Sequence, residues 1–484
     1  MSTMKPSALR RLSTALKLGK TPGPSIPDAS SLSNFLSTAK EKYLNDIRAT
    51  PRKGAEWTIV MGNEAGDLDS LASSIAYAWV QSEIEKKPSI PLIRIGRDDL
   101  NLRAENLYAL KLAGINNPQE QLLCISDLED VKPFPSITFA LVDHNRLGAS
   151  FSTDNPNANV ITVIDHHEDE NLYADSADPR KIAPAGSCAS HVATLYPKEA
   201  DIPRELATLL LSAILIDTGG LVPGGKALQV DHEAASYLIP RSTLTDSISS
   251  STLSSISPTN PRMLLDIPEV KHLSDDLSDK KTDVSHLGAW DLLRRDYKEY
   301  TYTLNWHPST PTIKAGLATV PVKLRSWGSD GKLEREAQRW MERQGLSVLG
   351  VLTSFTDTNK FGKSGKGKHR REMAWFIRDG SDSQKLQLEE VASRLWKGLE
   401  GNEEIQVTKH KKMDLGQEVW MVSAAGPPLG FATGHPSQGG FDDEFGESAT
   451  RSSVAADLDG ETVGECGNNQ SGQEYVESTS GLAD

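Results

Sequence analysis

Short apolar runs alternate with amphipathic stretches in the first half of the chain. Runs rich in Val, Ile and Leu predict five strands, at 57–62, 91–96, 121–125, 137–143 and 160–165. Apolar residues spaced three or four apart predict four helices, at 69–80, 104–114, 187–196 and 204–216. Nearly continuous apolar strands that alternate with helices are typical of parallel sheets covered on both faces. The pattern therefore predicts an α/β domain, with a mostly parallel, doubly covered sheet, over residues 31–240.

A second and smaller α/β unit is predicted over residues 285–432. Its pattern indicates, in order, a helix at 285–300, a strand at 312–324, a helix at 332–345 and a strand at 346–355. Hydrophobic periodicity fails in a Ser/Thr-rich stretch that starts at Pro240. Residues 241–284 are therefore predicted to be a connector between the two domains.

Both ends of the chain differ in composition from the two domains. Residues 1–30 are basic and lack the apolar core of a secretory signal, so they are predicted to be a flexible leader. A mitochondrial transit peptide is the alternative. Residues 433–484 are rich in Gly, Ser and acidic side chains and cannot bury a core, which predicts a disordered tail that could bind protein partners.

Composition and charge exclude several functions for this chain of 484 residues. The net charge of -14 argues against stable nucleic-acid binding, because phosphate backbones repel an acidic protein. No apolar run is long enough to cross a membrane. Three widely separated cysteines fit neither a disulfide framework nor a thiolate zinc site. A cytoplasmic location is therefore predicted.

Acidic and imidazole side chains follow three of the predicted strands, and one more acid lies beside an apolar helix. These residues are Asn63, Asp67 and Asp69 after the first strand, Asp143, His144 and Asn145 after the fourth, Asp165, His166 and His167 after the fifth, and Asp217 beside the helix at 204–216. The carboxyl ends of parallel strands meet at one edge of a sheet, where ligands bind. The sequence therefore predicts that these groups share one site.

Carboxylates brought together in this way repel one another unless cations neutralise them. Two divalent ions bridged by a shared carboxylate would supply that charge and hold a water that attacks the substrate. A single strand-end aspartate is more often a cap, and Asp69 could be the N-cap of the helix that follows it. Several separate clusters in one half of the chain favour the metal hypothesis.

Four ordered motifs resemble those of the DHH phosphoesterase superfamily. They are GNEAGDLDSLASSIAYA at 62–78, LVDHN at 141–145, VIDHH at 163–167 and LLSAILIDTGG at 210–220. The chain is similar to the branch that holds exopolyphosphatases, prune proteins and family II inorganic pyrophosphatases, most of all to exopolyphosphatases of the fungal type. Members of this branch have a second domain of the DHHA2 type, which the 285–432 region resembles in size and position.

The resemblance implies metal-dependent hydrolysis of phosphoanhydride bonds, with release of phosphate from inorganic polyphosphate. Alternatives are an inorganic pyrophosphatase, a phosphodiesterase for short oligonucleotides or cyclic nucleotides, and a prune-like scaffold with residual activity. By motif, the implied ligands of two Mg²⁺ or Mn²⁺ ions are Asp67, Asp69, Asp143, His166 and Asp217. Asn63 is a further ligand candidate, and it stands where pyrophosphatases have His, which favours magnesium over manganese.

The resemblance also implies residues that handle the substrate, polyphosphate or pyrophosphate. His144 and His167 would be catalytic, while Asn145 and Arg146 would bind phosphate. In the second domain, the basic loop at 360–372 is expected to contact phosphate through Lys368, His369, Arg370 and Arg371, and the alternative is a solvated surface loop. Relatives carry a Ser-Arg-Lys type segment near the end of this domain, whereas residues 418–436 contain no Arg or Lys, which predicts reduced activity.

Overall fold

A computed structural model describes most of the chain between residues 30 and 424. The described ranges are 30–197, 201–222, 224–256, 264–307, 311–361, 367–378, 388–402, 407–409 and 419–424, with the backbone alone at 358–361, 367–369, 408–409 and 419–424. The leader predicted at 1–30, except for Ser30, and the tail predicted at 433–484 lie outside the described residues.

The first sheet is built from strands in the first half of the chain. These are β1 Thr58–Met61, β2 Ser89–Ile93, β3 Leu123–Cys124, β4 Thr138–Val142, β5 Asn159–Asp165 and β6 Arg180–Ile182. In the described part of the chain all six run parallel, in the order β3-β2-β1-β4-β5-β6. The first five confirm the predicted strands. The last has no apolar run, so hydrophobic patterning could not predict it.

Helices cover both faces of this sheet. They are α1 Ser31–Arg48, α2 Leu68–Trp79, α3 Ala104–Leu112, α4 Pro118–Gln121, α5 Ala149–Ser152, α6 Cys188–Ala193, α7 Arg204–Thr218 and α8 Gln229–Leu238. One core cluster joins alternate strand residues such as Val60 and Ile164 to α2, α3, α6 and α7. The other joins the residues between them, such as Ile59 and Val163, to α1. The prediction of a doubly covered parallel sheet is confirmed.

The predicted connector contains packed helices, which differs from the expected open linker. After α9 Ser250–Ser255, α10 Pro268–Thr282 buries Val270, Leu273 and Leu277 in the core cluster of the first domain. These apolar residues are spaced three and four apart, which is the signature of one helix face. The low hydropathy of the surrounding residues hid this face in the sequence.

The second sheet consists of β7 Tyr297–Thr303, β8 Thr312–Val320, β9 Val348–Phe361, β10 Gly367–Ile377, β11 Val407–Lys409 and β12 Val419–Ala424. Its order is β11-β12-β10-β9-β8-β7 among the described strands, with only β8 and β9 parallel. Its helices are α11 Ala289–Arg295, α12 Leu324–Trp327, α13 Lys332–Gln344 and α14 Leu388–Gly401. The α/β character predicted for this domain is confirmed.

One predicted helix in the second domain is wrong in its extent. The helix expected at 285–300 is α11, which ends at Arg295, and β7 begins two residues later. The segment YKEYTYT is rich in Tyr and Thr, which favour strands, and it pairs antiparallel with β8. Strand pairing therefore outweighs the local helical pattern.

Short turns complete the described secondary structure. The 3₁₀ turns are Gly54–Glu56, Arg97–Leu102, Ile125–Asp127, Ile239–Arg241 and Thr243–Asp246, and one π turn spans Val80–Ile84. None of the helices in the described ranges is both long and apolar enough to cross a bilayer.

Candidate metal and phosphate site

The carboxyl ends of β1, β4 and β5 open onto a cavity of about 290 Å³ where the strand order reverses. In open α/β sheets this crevice is the usual ligand site. The first domain lines it with acids and imidazoles: Asp67, Asp69, Asp143, His166, His167 and Asp217. The second domain lines it with Asp296, Lys298, Tyr300, Leu317 and Thr319. The cavity therefore lies between the two domains.

Two helix ends hold the aspartates that follow β1. Asp67 is the N-cap of α2 and accepts a hydrogen bond from the Ser70 amide at 3.0 Å. Asp69 is 2% exposed and accepts the backbone amides of Cys188 and Ala189 at 2.6 and 2.8 Å, at the start of α6. The capping role considered for Asp69 in α2 thus belongs to Asp67, whereas Asp69 satisfies the first amides of a second helix.

The buried carboxylates of the cavity oppose one another's ionisation. Burial and the nearby Asp143 raise the pKa of Asp69 well above its ordinary value. Burial also raises the pKa of Asp217, which the charge of Lys281 offsets only in part. Such shifts mark a carboxylate cluster whose repulsion is relieved by protons or by cations.

The backbone aims Asp143 into the cavity. Its φ of 59° lies in the left-handed region, which non-glycine residues rarely adopt and which is often found at functional sites. Asp143 Oδ2 accepts hydrogen bonds from the Ser70 hydroxyl at 2.5 Å and from Asn63 Nδ2 at 2.8 Å. Asp143 Oδ1 faces His166 Nε2 at 3.1 Å. Oδ2 is therefore held by Ser70 and Asn63, whereas Oδ1 faces His166 in the cavity.

The His166 imidazole is fixed in one orientation. Its Nδ1 lies 2.9 Å from the Ala185 carbonyl, which can only accept, so Nδ1 carries a proton. Burial alone would lower the pKa of His166, but Asp143 and Asp69 outweigh it and raise the pKa well above the ordinary value. Ligand atoms of Asp143, His166 and His167 all lie within 4.8 Å of one another. This is the spacing of groups that can share a metal ion.

The second histidine of the motif rests on a buried carboxylate. His167 Nδ1 lies 2.6 Å from Asp165 Oδ1, and Asp165 also accepts a hydrogen bond from Asn145 Nδ2 at 2.6 Å. Burial opposes ionisation of Asp165, but its bonds to His167 and the nearby imidazoles outweigh burial and lower the pKa to about 2. Asp165 therefore stays charged and orients His167, whose ring lines the cavity.

Three lysines line the same cavity, namely Lys226, Lys281 and Lys298. Lys281 Nζ donates to Asp217 Oδ1 at 3.3 Å. Partial burial would lower the pKa of Lys281, but the charges of Asp217 and Asp67 outweigh it and raise the pKa. The cavity thus sets ammonium groups beside its carboxylates, an arrangement suited to a polyanionic ligand.

Two family models match the chain in the order of its two domains. The model described as "DHH family, N-terminal domain" matches residues 57–214, and the "DHHA2 domain" model matches residues 275–413. A Schizosaccharomyces pombe protein, provisionally named an exopolyphosphatase, is 30% identical over 359 residues, which cover 69% of this chain and 82% of that protein. The chain belongs to the DHH family.

Other relatives of this DHH-family chain match it over shorter lengths. Exopolyphosphatase PRUNE1 of Rattus norvegicus is 30% identical over 263 residues, or 53% of this chain and 52% of that protein. A Shouchella clausii protein named as a probable manganese-dependent inorganic pyrophosphatase is 32% identical over 184 residues, or 37% of this chain and 53% of its own length. The chain thus spans about half the length of these two relatives.

The structure of this DHH-family chain brings together the five residues predicted as principal metal ligands, Asp67, Asp69, Asp143, His166 and Asp217. Asn63 is placed differently. Its Oδ1 accepts the Ala65 amide at 3.0 Å and its Nδ2 donates to Asp143, so both ends of the amide are used beside the cavity. Asn63 therefore supports Asp143, and its role as a ligand stays a prediction.

His144 lies apart from the other predicted catalytic histidine. It is buried, its Nδ1 lies 3.0 Å from the Val142 carbonyl, and it is not among the described residues that line the cavity. Burial, with help from Arg94, lowers its pKa to about 4. Since it follows Asp143 directly, the turn that aims the carboxylate inward leaves His144 outside the cavity lining.

The residues after His144 hold the neighbouring loop. Asn145 Nδ2 donates to Asp165 and to the Glu168 carbonyl at 2.8 Å, and its Oδ1 accepts the Glu170 amide at 3.1 Å. Arg146 forms an ion pair with Glu170. In this structure both side chains brace the segment that carries the two histidines. Their predicted contact with substrate stays a prediction.

The basic loop of the second domain falls partly outside the described residues. The side chains of Lys368 and His369 are not described, and residues 418–436 are described only at 419–424, where the backbone forms β12. Arg370 and Arg371 lie on β10, and Arg371 is 7% exposed. Neither arginine is among the described residues that line the cavity. Their phosphate contacts stay predictions.

Sequence reasoning missed the three lysines that line the cavity. A dense cluster of basic residues stands out in a sequence, whereas these three lysines lie singly in three separate segments. For Lys281 a signal existed: the spacing of Val270, Leu273 and Leu277 indicates a helix that packs on the first domain and carries Lys281 in its last turn. For Lys226 the local sequence carries no comparable signal.

The donor set fits divalent metal ions. Carboxylate oxygens with one imidazole suit Mg²⁺ and Mn²⁺ better than soft metals. The Nδ1 bond of His166 to a backbone carbonyl leaves Nε2 toward Asp143 and Asp69, which is how metal-binding histidines are commonly oriented. The raised pKa values of Asp69 and Asp217 fit a cluster that added positive charge would stabilise.

Proposed function

We propose that this chain is a metal-dependent exopolyphosphatase, a hydrolase that cleaves phosphoanhydride bonds and releases phosphate from inorganic polyphosphate. The observation that carries the proposal is one cavity lined by four aspartates of the first domain, by His166 and by three lysines. The names of the yeast and rat relatives, both exopolyphosphatases, support the substrate class. The Shouchella clausii relative, which is named as a manganese-dependent pyrophosphatase, supports dependence on a divalent metal and the same bond type.

The carboxylate side of the cavity would hold the metal. Asp67, Asp69, Asp143, His166 and Asp217 would bind two ions, Mg²⁺ or Mn²⁺. When bound, such ions supply positive charge and Lewis acidity toward water and phosphoryl oxygen. Asp143 is the candidate for the shared ligand, because its carboxylate lies between the β1 loop and the two histidines.

The other groups of the cavity would act on the phosphate chain. Asp165 occupies His167 Nδ1, so Nε2 is left to contact a phosphoryl oxygen or to move a proton. Lys281 and Lys298, which line the same cavity, would neutralise phosphoryl oxygens as negative charge moves to the leaving chain. Substrate would therefore lie between acids that hold metal and lysines that hold phosphate.

A panel of substrates tests this proposal. Phosphate release is measured from long-chain polyphosphate, tripolyphosphate, pyrophosphate and a dinucleotide, each with magnesium and with manganese. The expected result is release from polyphosphate and tripolyphosphate with either metal, and none from the dinucleotide. Release from pyrophosphate alone would make the chain a pyrophosphatase. Cleavage of the dinucleotide alone would make it a phosphodiesterase, and metal binding without any hydrolysis would support a scaffold.

A further inference from the structure

A network of buried charges joins the two domains beside the cavity. Its members, called the seam network here, are Arg103 and Glu105 of the first domain and Arg295 and Asp296 of the second. Arg103, Glu105 and Arg295 are 2%, 1% and 6% exposed. Arginine and glutamate are almost never so deeply buried unless they are paired. The two positive and two negative charges of this network balance.

Arg295 connects three separate segments. Its Nη2 donates to Glu105 Oε1 at 2.7 Å and to the Lys281 carbonyl at 3.0 Å, and its Nε donates to the Leu102 carbonyl at 3.1 Å. The guanidinium therefore fixes the backbone of the same residue whose ammonium reaches Asp217 in the cavity. A planar, multiply bonded guanidinium determines orientation as well as distance.

Arg103 makes a parallel set of contacts. Its Nη2 donates to the Ala65 carbonyl at 2.9 Å and lies 3.4 Å from Asp296 Oδ1, and its Nη1 lies 3.5 Å from Glu105 Oε1. Ala65 belongs to the loop that carries Asp67. Asp296 lines the cavity and is two residues before Lys298.

We propose that Arg103 and Arg295 are positioning residues for phosphate hydrolysis: across the domain seam they fix the backbone that carries Lys281 and Lys298 relative to the loop that carries Asp67. This inference rests on the proposed function of the cavity. Neither guanidinium is among the described residues that line the cavity, and each holds a backbone carbonyl of a segment that carries cavity groups. A displacement of about 1 Å in such groups can cost a hundredfold in rate.

The simpler explanation is that these charges only hold the domains together, and the chain contains a matched control for it. Arg294, next to Arg295, also crosses the seam, where it pairs with Asp99 of the first domain and with Asp291 at 2.8 Å. Neither Asp99 nor Asp291 is among the described residues that line the cavity. A role limited to domain attachment predicts similar effects for both arginines.

The experiment compares Arg295→Lys, Arg294→Lys and a charge-balanced Glu105→Met/Arg295→Met double variant in the full-length chain. The lysine variants keep the charge and lose the planar fork, while the double variant removes both partners and so leaves no orphaned Glu105. Hydrolysis of tripolyphosphate, affinity for imidodiphosphate (a non-hydrolysable pyrophosphate analogue), Mn²⁺ stoichiometry and melting temperature are measured for each.

Arg295→Lys should lower kcat between about tenfold and a hundredfold and weaken imidodiphosphate binding, with the Mn²⁺ stoichiometry unchanged. The double variant should behave similarly even if its melting temperature is unaltered. Arg294→Lys should stay within about twofold of the parent. In a Lys281→Met background, Arg295→Lys should lose most of its effect on kcat, because residues that act through one another are not additive.

Equal effects of Arg294→Lys and Arg295→Lys would overturn the proposal, as would independent, multiplicative effects of Arg295→Lys and Lys281→Met. Failure of the proposed function looks different. The parent chain would then release no phosphate from polyphosphate or tripolyphosphate, and the comparison of imidodiphosphate affinities would still decide whether Arg295 positions the cavity. A parent that binds no imidodiphosphate would refute both proposals.

Discussion

The two sides of the cavity are built in opposite ways. The carboxylate side uses short, buried side chains, and Asp69 and Asp143 are each 2% exposed and held by neighbouring hydrogen bonds. The lysine side uses long side chains, and the Lys281 side chain is 41% exposed. An aspartate is fixed by its immediate surroundings, whereas a lysine is placed by the segment that carries it. Substitutions on the two sides should therefore fail differently.

The largest effect is expected on the carboxylate side. Asp143→Asn should lower kcat by about three orders of magnitude or more and reduce the number of bound Mn²⁺ ions, because an amide replaces the charged group nearest His166. Phosphate release and calorimetric metal titration measure the two changes. Asp276→Asn is the control, since Asp276 lies on the exposed face of α10, where its carboxylate accepts a hydrogen bond from the Tyr108 hydroxyl. Appreciable activity with full metal binding would remove Asp143 from the site.

On the lysine side, Lys298→Met should lower kcat/KM for tripolyphosphate about a hundredfold and leave Mn²⁺ binding intact. The reason is that Lys298 lines the cavity from the second domain without being a metal ligand. Lys314→Met is the control, because Lys314 lies on the neighbouring strand and pairs with Glu299. Loss of metal together with activity would show that the two sides are not separable.

A smaller change should follow at Asn63, which supports the carboxylate side. Asn63→His should raise the ratio of manganese-dependent to magnesium-dependent activity about tenfold, because imidazole is a better ligand for manganese than an amide. Asn63→Ala serves as the control, since it loses the bond to Asp143 without adding a ligand. If the histidine and alanine variants share one metal profile, residue 63 does not reach the metal.

The smallest effect is expected from the basic loop. Replacing Lys363, Lys366 and Lys368 together with alanine should raise KM for long-chain polyphosphate about threefold and leave tripolyphosphate unaffected, with the difference fading at high salt. Kinetics at two salt concentrations measure this. An equal rise for both substrates would place the loop at the catalytic cavity itself, and no rise would make it a solvated surface loop.

The carboxylate side could be predicted from sequence because it is local. Each aspartate follows an apolar strand or ends an apolar helix, and parallel strands must bring their carboxyl ends together. Asp67, Asp69 and Asp143 can therefore be assigned to one edge of the sheet from the sequence alone. The direction of His144 could not, because it depends on the left-handed turn at Asp143, which no periodicity reveals.

The lysine side and the seam could not be predicted because they depend on contacts between distant segments. Arg295 meets Glu105 across 190 positions of sequence, and neither residue stands out in its own segment. The local pattern predicts a helix where β7 forms. The two-residue alternation of a strand, which turns Asp296 and Lys298 toward the cavity, is therefore not evident from the sequence. Patterns local to one element predict its type, whereas the partner across a domain boundary is a tertiary property.

The order of these groups along the chain bears on how the site is made during synthesis. Translation proceeds from the amino terminus, and domains fold as units while it continues. The four cavity aspartates of the first domain and His166 all precede residue 218, and Lys281 lies in the last turn of the helix that completes that domain's core, whereas Lys298 leaves the ribosome later with the second domain. The carboxylates of the cavity can therefore be assembled on a nascent chain before Lys298 and the rest of the second domain reach them.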